Sequence, residues 1–279
     1  MKTRKTIIWI LGFLITITAA VYQRLTGPTH PFRTTVTLNE QGYKLKFIRS
    51  GETTPEDPAQ PITLELPIAD KTINALVSFR KFPTDAPYTT EPFERKGDVL
   101  IAQLPQQPAA GKVEYSVTLT DGSEKIKIPT QVIRFKDPVP TIWLAPHILT
   151  MFFAMFLANV TGLMALFNRG NYARMTILTS VFFAIGGLFL GPVVQKYAFG
   201  EFWTGVPFGW DLTDNKTLIA AIFWAIALFM NKQKPSRSWT LIASIVMLAV
   251  YAVPHSMFGS ELDHETGKVI QGIILPYFG

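Results

Sequence analysis

Four histidines, His30, His147, His255 and His264, are the side chains of this chain best suited to proton transfer or borderline metal ligation near neutral pH. There are no cysteines. Their absence removes thiolate nucleophiles, disulfides, Cys-ligated zinc, covalently attached c-type haem and Cys-held iron–sulfur clusters. Two of the histidines recur in the same context. His147 lies in "LAPHILT" and His255 in "YAVPHSM", so each follows a proline at the edge of an apolar run.

Two histidines at one depth on antiparallel helices are what a b-type haem requires for its axial ligands. His147 and His255 are the pair this sequence offers. The same pair suits a quinone headgroup, which needs a hydrogen-bonding histidine or carboxylate and aromatic walls open to lipid. Trp203, Trp210, Phe208 and Tyr251 are the candidate walls. The plainer alternative is that both histidines cap or bridge helix ends at the membrane surface.

Carboxylates provide the second candidate chemistry. Asp211 and Asp214 lie in "GEFWTGVPFGWDLTDNK" (200–216), and "ELDHETG" carries Glu261, Asp263, His264 and Glu265. Carboxylates with one histidine suit a hard or borderline divalent ion. No HExxH or EF-hand spacing accompanies them. Solvated loop charge accounts for the same residues. So does capping of the following helix by Asp211, Thr213 or Asp214. No G-x-S-x-G, P-loop or S-x-x-K pattern is present. "IGGLFLG" lies inside an apolar segment and follows no strand, so packing explains it better than nucleotide binding.

The elements that must position these residues follow from composition and period. The chain has 279 residues, 16% of them charged, with mean hydropathy +0.23. Soluble domains carry about a quarter charged residues, so a membrane portion is expected beside a soluble one. Apolar runs at 7–22, 142–167, 174–195, 217–231 and 238–258 read as five spans. Thr18-Ala19-Ala20 is a weak signal-cleavage match, and an uncleaved anchor is the expectation. The N-terminal stretch and the loops after the second and fourth runs contain Lys2, Arg4, Lys5, Arg169, Arg174, Lys232, Lys234 and Arg237, with no Asp or Glu. This is a positive-inside pattern, and all five runs agree with it. It assigns the basic residues to membrane orientation, so nucleic acid is not an expected partner despite the net charge of +6.

Residues 33–138 change to period two, in runs at 34–39, 43–49, 62–66, 73–81, 98–104, 112–120 and 131–136 separated by turn signals. Seven or eight short strands in about 105 residues suggest an immunoglobulin-like sandwich, with Tyr115 in "LPQQPAAGKVEYSV" placed like a tyrosine corner. The expected fold is thus a membrane α-helical protein of five transmembrane helices, with an all-β immunoglobulin-like sandwich inserted between the first and second spans. The expected divisions are an anchor (1–27), a sandwich (28–140), a four-helix bundle (141–258) with an outer loop (196–216), and a tail (259–279). Small residues at Ala154, Ala158 and Gly162, and at Gly187 and Gly191, suit close helix packing. Asn159, in mid-span, needs a partner on a neighbouring helix.

The expected location is a bacterial inner membrane. The N-terminus would be cytoplasmic, and the sandwich and C-terminus periplasmic. The leading functional expectation is a noncatalytic subunit of a membrane complex, docking other membrane or periplasmic proteins through the sandwich and outer loop. A redox subunit binding quinone or haem b through His147 and His255 is the alternative. A small transporter or metal-binding membrane protein comes third, because the spans hold almost no ionisable residues.

Overall fold

The computed structural model describes residues 2–254, 257, 259–267 and 269–271. The chain divides into two compact units, described separately below. One contains Met1–Pro28, Val139–Ser260 and Gln271–Gly279. The other contains Thr29–Pro138 and Glu261–Ile270.

In the helical unit, α1 (Lys2–Thr26) and α2 (Thr141–Leu166) are followed by one long helix in three parts. These are α3 (Tyr172–Phe183), a π-helical stretch (Ala184–Leu190) and α4 (Gly191–Phe199). Then come α5 (Leu212–Asn231) and α6 (Arg237–Ala252). α2 is the central element and packs against α1, α3 and α6. Small residues permit this. Ala154 and Ala158 are completely buried, and a Cβ on Gly162 would come within 2.7 Å of the Ser244 Cβ on α6. Asn159 donates to the Thr16 hydroxyl on α1 at 2.9 Å. The hydroxyls of Thr161 and Thr179 meet at 3.1 Å between α2 and α3. The outer faces are apolar: Ile10, Phe13 and Leu14 on α1 and Ile185, Leu188 and Phe189 on the long helix are exposed. Such a surface suits lipid rather than water.

The expectation of five spans is corrected. Among the described residues, four helical segments are long and apolar enough to cross a membrane: Thr6–Thr26, Thr141–Leu166, Tyr172–Phe199 and Leu212–Asn231, of 21, 26, 28 and 20 residues. The fifth apolar run does not form one long helix, because α6 has 16 residues, about 24 Å at 1.5 Å per residue. Pro254 ends it. Its ring disfavours the helical conformation for the preceding residue, and Val253 is extended at φ −74° and ψ 119°.

The β unit contains eleven strands between Phe32 and Lys136. They are β1 (Phe32–Leu38), β2 (Gln41–Phe47), β3 (Ser50–Glu52), β4 (Ile62–Pro67), β5 (Asn74–Phe82), β6 (Thr89–Pro92), β7 (Glu94–Lys96), β8 (Val99–Leu104), β9 (Lys112–Thr120), β10 (Lys125–Lys127) and β11 (Gln131–Lys136). Six form a sheet in the order β3-β11-β9-β5-β6, with β10 also on β9. β4-β8-β7 form another, and β1-β2 pair separately. Alternation holds where one face meets the core: Tyr43, Leu45 and Phe47 point inward on β2, and Leu64 and Leu66 on β4. β9 departs from it. Val113, Tyr115 and Val117 are buried on one face, and Glu114 and Ser116 on the other. There Glu114 is paired with Arg80 and accepts from the Tyr88 hydroxyl at 3.0 Å.

The immunoglobulin-like expectation is corrected with the fold class. The strands are more numerous than seven or eight, lie in several sheets, and include a parallel pair in which Arg134 faces Ser50. Tyr115 does not form a tyrosine corner. In a corner, the hydroxyl reaches backbone a few residues upstream. Here it donates at 2.9 Å to the Ile48 carbonyl, 67 residues away in sequence.

Two short strands, β12 (Ser260–Leu262) and β13 (Val269–Gln271), pair after α6. The segment Glu261–Ile270, set apart in sequence as a tail, belongs to the β unit. The Leu262 N–H donates to the Ala110 carbonyl at 3.2 Å.

Candidate functional site

The connection between α4 and α5 is shorter than the expected 196–216, because α4 continues to Phe199 and α5 begins at Leu212. Gly200 ends α4 in the left-handed region, at φ 89°. Glycine enters this region without a Cβ penalty, so the helix stops there. At the other end Asp211 is the N-cap of α5. Its Oδ1 accepts the N–H groups of Thr213 at 2.8 Å and Asp214 at 3.3 Å.

Both carboxylates are 4% exposed and surrounded by donors. The Asp211 Oδ2 accepts the backbone N–H and hydroxyl of Ser260, at 2.8 and 2.9 Å. The Asp214 Oδ2 accepts the N–H groups of Thr204 at 2.6 Å and Gly205 at 3.1 Å. It also accepts the Gln195 amide at 3.0 Å and the Thr204 hydroxyl at 3.2 Å. Gly205 is required here, since a Cβ would lie 2.6 Å from that of Asp214. One buried carboxylate per side therefore fastens the loop to α4, α5 and Ser260.

The tip of the loop is different. Phe208 is 81% exposed and Trp210 75%. Trp203 is half-buried, and its indole N–H donates to the Val206 carbonyl at 3.1 Å. The arrangement is a turn with a hydrogen-bonded polar base and an aromatic rim.

Lys216, which carried no role in the sequence argument, lies in the first turns of α5 and is 7% exposed. Its ammonium donates to the carbonyls of Val253 at 2.8 Å and Pro254 at 3.4 Å. Gln23 of α1 donates to the Tyr251 carbonyl at 3.0 Å. The Tyr251 carbonyl in the last turn of α6, and the Val253 and Pro254 carbonyls that follow it, are thus satisfied by side chains of other helices. No local sequence signal marks this, because donors and acceptors are separated by 37 residues or more.

His147 lies on α2, half-buried, with Nδ1 3.0 Å from the Gly186 carbonyl. A carbonyl only accepts, so Nδ1 carries the proton and Nε2 keeps its lone pair. Among the described residues Nε2 has no hydrogen-bond partner. Gly186 is in the π-helical stretch and also accepts from the Gly191 N–H. Pro192 accounts for that stretch: it lacks an N–H, and its ring would crowd the carbonyl four residues back, so the helix widens before it. A Cβ on Gly191 would meet the His147 ring at 3.6 Å, and one on Gly187 would meet Phe183 at 3.2 Å and Thr217 at 3.3 Å.

His255, the other half of the histidine pair, lies outside the described residues. Tyr251 donates to the Met151 carbonyl at 3.1 Å, one turn beyond His147. Beside it, Met151, Phe183, Lys216 and Thr217 help line a cavity of about 30 Å³. That is room for one or two waters, not for a quinone ring.

Glu261, Asp263 and His264 are in the β unit. Glu261 pairs with the Lys112 ammonium at 3.0 Å. Burial holds the Lys112 pKa below its ordinary value, and Glu261 opposes that shift. Asp263 accepts the Thr266 hydroxyl at 2.6 Å and the Glu265 N–H at 2.9 Å, which in that order hold its pKa below the usual carboxylate range. The His264 Nε2 is 3.2 Å from the Phe82 carbonyl. Among the described residues, no three His, Asp or Glu side chains converge as metal ligands. No family model, no curated protein and no solved structure matches the chain.

Proposed function

We propose that this chain is an integral subunit of a larger membrane complex, and that the rim of the 200–211 loop and the β unit dock its partners. The observation that carries this is the contrast within the loop. Asp211 and Asp214 are used to hold its shape, while Phe208 and Trp210 are left 81% and 75% exposed. Rigid exposed aromatics bind at low entropic cost and are enriched at interface centres. The four apolar helices support a membrane location. The basic loops and the absence of cysteine suit a bacterial inner membrane with the β unit in the periplasm.

The test is the double variant Phe208→Ala/Trp210→Ala, expressed at native level. It should retain the wild-type melting temperature in detergent and lose the high-mass species seen on native gels of solubilised membranes. An unchanged high-mass species would refute docking through the rim. So would strong quenching of Trp210 fluorescence by brominated lipid, which would assign the rim to the bilayer interface.

One observation favours a second function, a redox subunit. The open Nε2 of His147, with Nδ1 held by the Gly186 carbonyl, offers the lone pair that an axial haem ligand needs. A Soret band in the purified protein, lost in His147→Ala, would establish haem in place of simple docking.

A further inference from the structure

The segments 167–174 and 230–237, which are the α2–α3 and α5–α6 connections with the adjoining helix ends, contain Arg169, Arg174, Lys232, Lys234 and Arg237 and no Asp or Glu. The Arg237 guanidinium donates to the Leu166 carbonyl at 2.6 Å, so both loops lie at one end of the helical unit. Between the start of α3 and the end of α5 a cavity of about 580 Å³ opens at that end. This is within the roughly 300–1,000 Å³ typical of small-molecule sites. Arg174 and Lys232 line it, together with Asn171, Ile177, Leu228 and Phe229. Both backbone N–H groups are bonded, Arg174 to the Asn171 side chain and Lys232 to the Phe229 carbonyl, but among the described residues neither side chain has a hydrogen bond or ion pair. The apolar side of the cavity continues along the helices. Ile177 and Phe229 are 57% and 75% exposed, followed by Val181 on α3 and Ile222 on α5 at 48% each.

From this geometry we infer that the cavity binds an anionic phospholipid. Its phosphate is held between Arg174 and Lys232, and its acyl chains lie along Ile177, Val181, Ile222 and Phe229. Charge complementarity selects the headgroup, since two cations with no nearby carboxylate leave an uncompensated positive site. The continuous apolar surface selects a lipid over a free anion, because an inorganic phosphate makes no use of those side chains. The location suits the occupant too, as basic pockets between helix ends at the membrane boundary are where anionic headgroups bind.

The purified full chain in detergent micelles is titrated with dioleoylphosphatidylglycerol or dioleoylphosphatidylcholine, and bound lipid is counted by native mass spectrometry. Phosphatidylglycerol is expected to be retained in preference to phosphatidylcholine. Arg174→Gln/Lys232→Gln should weaken that retention about 30-fold, from about five-fold per cation near a membrane surface. Lys234→Gln, in the same loop but outside the cavity lining, should leave it unchanged. Both cations are exposed, so the variants should melt as wild type without lipid, which separates lost binding from lost folding. Equal retention of the two lipids would overturn the inference. So would unchanged retention by the double variant, or displacement of the lipid by millimolar inorganic phosphate.

Discussion

Replacing Asp214 tests whether the rim of the 200–211 loop owes its rigidity to one buried carboxylate. Its Oδ2 accepts four donors, two of them the backbone N–H groups of Thr204 and Gly205. In Asp214→Ala the Thr204 hydroxyl keeps a contact with Ser260 at 3.3 Å, and the half-buried Gln195 can turn to water. The two N–H groups have no such exit. Each buried, unpaired donor costs about 1–3 kcal/mol, giving a gross loss near 4 kcal/mol. Removing a desolvated charge returns about 1 kcal/mol, leaving a net loss of about 3. At about 2–4 °C per kcal/mol, the melting temperature should fall by about 6–12 °C. Asp214→Asn retains the shape and an acceptor oxygen but not the charge, and should lose about half as much. The assay is tryptophan-monitored melting in detergent, combined with limited chymotrypsin digestion. The wild-type loop should resist cleavage at Phe208 and Trp210 although both are exposed, because a protease needs a locally unfolded backbone. Asp214→Ala should be cut there. A melting temperature within about 1 °C of wild type and an uncut loop would refute the claim that Asp214 holds the turn.

Three further outcomes follow from the packing and the charges. Lys216→Met should strip the α6 terminus of its cap and lower stability by about 1–3 kcal/mol, with faster hydrogen exchange confined to the last turn of α6. Gly162→Leu should loosen the α2–α6 contact more than Gly187→Leu does, because the added carbon meets Ser244 at 2.7 Å in the first case and Phe183 at 3.2 Å in the second; detergent melting of both variants measures the order. Asp70 is held below the usual carboxylate range, first by the Asn39 amide and then by Thr72. A depressed folded-state pKa contributes stability above the unfolded value, near pH 4, that is lost as pH falls through the folded one. Protection factors at β1 and β2, corrected for the intrinsic pH dependence of amide exchange, should therefore fall on acidification below about pH 4, and less so in Asp70→Asn.

Much of the local structure was legible because it depends on neighbours a few residues apart. Period-two burial on β2 and β4, the Asp211 cap and the small residues on α2 all reflect short-range periodicity or a single helix terminus. Asn159 pointed to a helix partner because a buried amide must be bonded, but Thr16 as that partner lies 143 residues away. The fifth span failed for a local reason that hydropathy cannot register: Pro254 stops α6 inside an apolar run. The two-sided burial of β9 was hidden because Glu114 and Ser116 are polar and read as outward-facing, whereas Arg80 and Tyr88 cover that face.

By itself, the sequence determined that this chain has helices of membrane length and a β-rich segment, that the segments 167–174 and 230–237 carry basic residues and no carboxylate, and that cysteine chemistry is absent. These are properties of composition, period and sign of charge, and they do not depend on which segments meet. Only the tertiary structure decided how the candidate residues are used. Asp211 and Asp214, metal candidates by residue type, became fasteners because Ser260, Thr204 and Gly205 bring donors to them. Glu261 was paired with Lys112 instead of joining a ligand cluster, and His147 was oriented by the Gly186 carbonyl, in the stretch where the helix widens before Pro192. A carboxylate or imidazole has the same intrinsic chemistry in a cap, a salt bridge or a metal site. What distinguishes these roles is which donors and charges the fold places within about 3 Å of it.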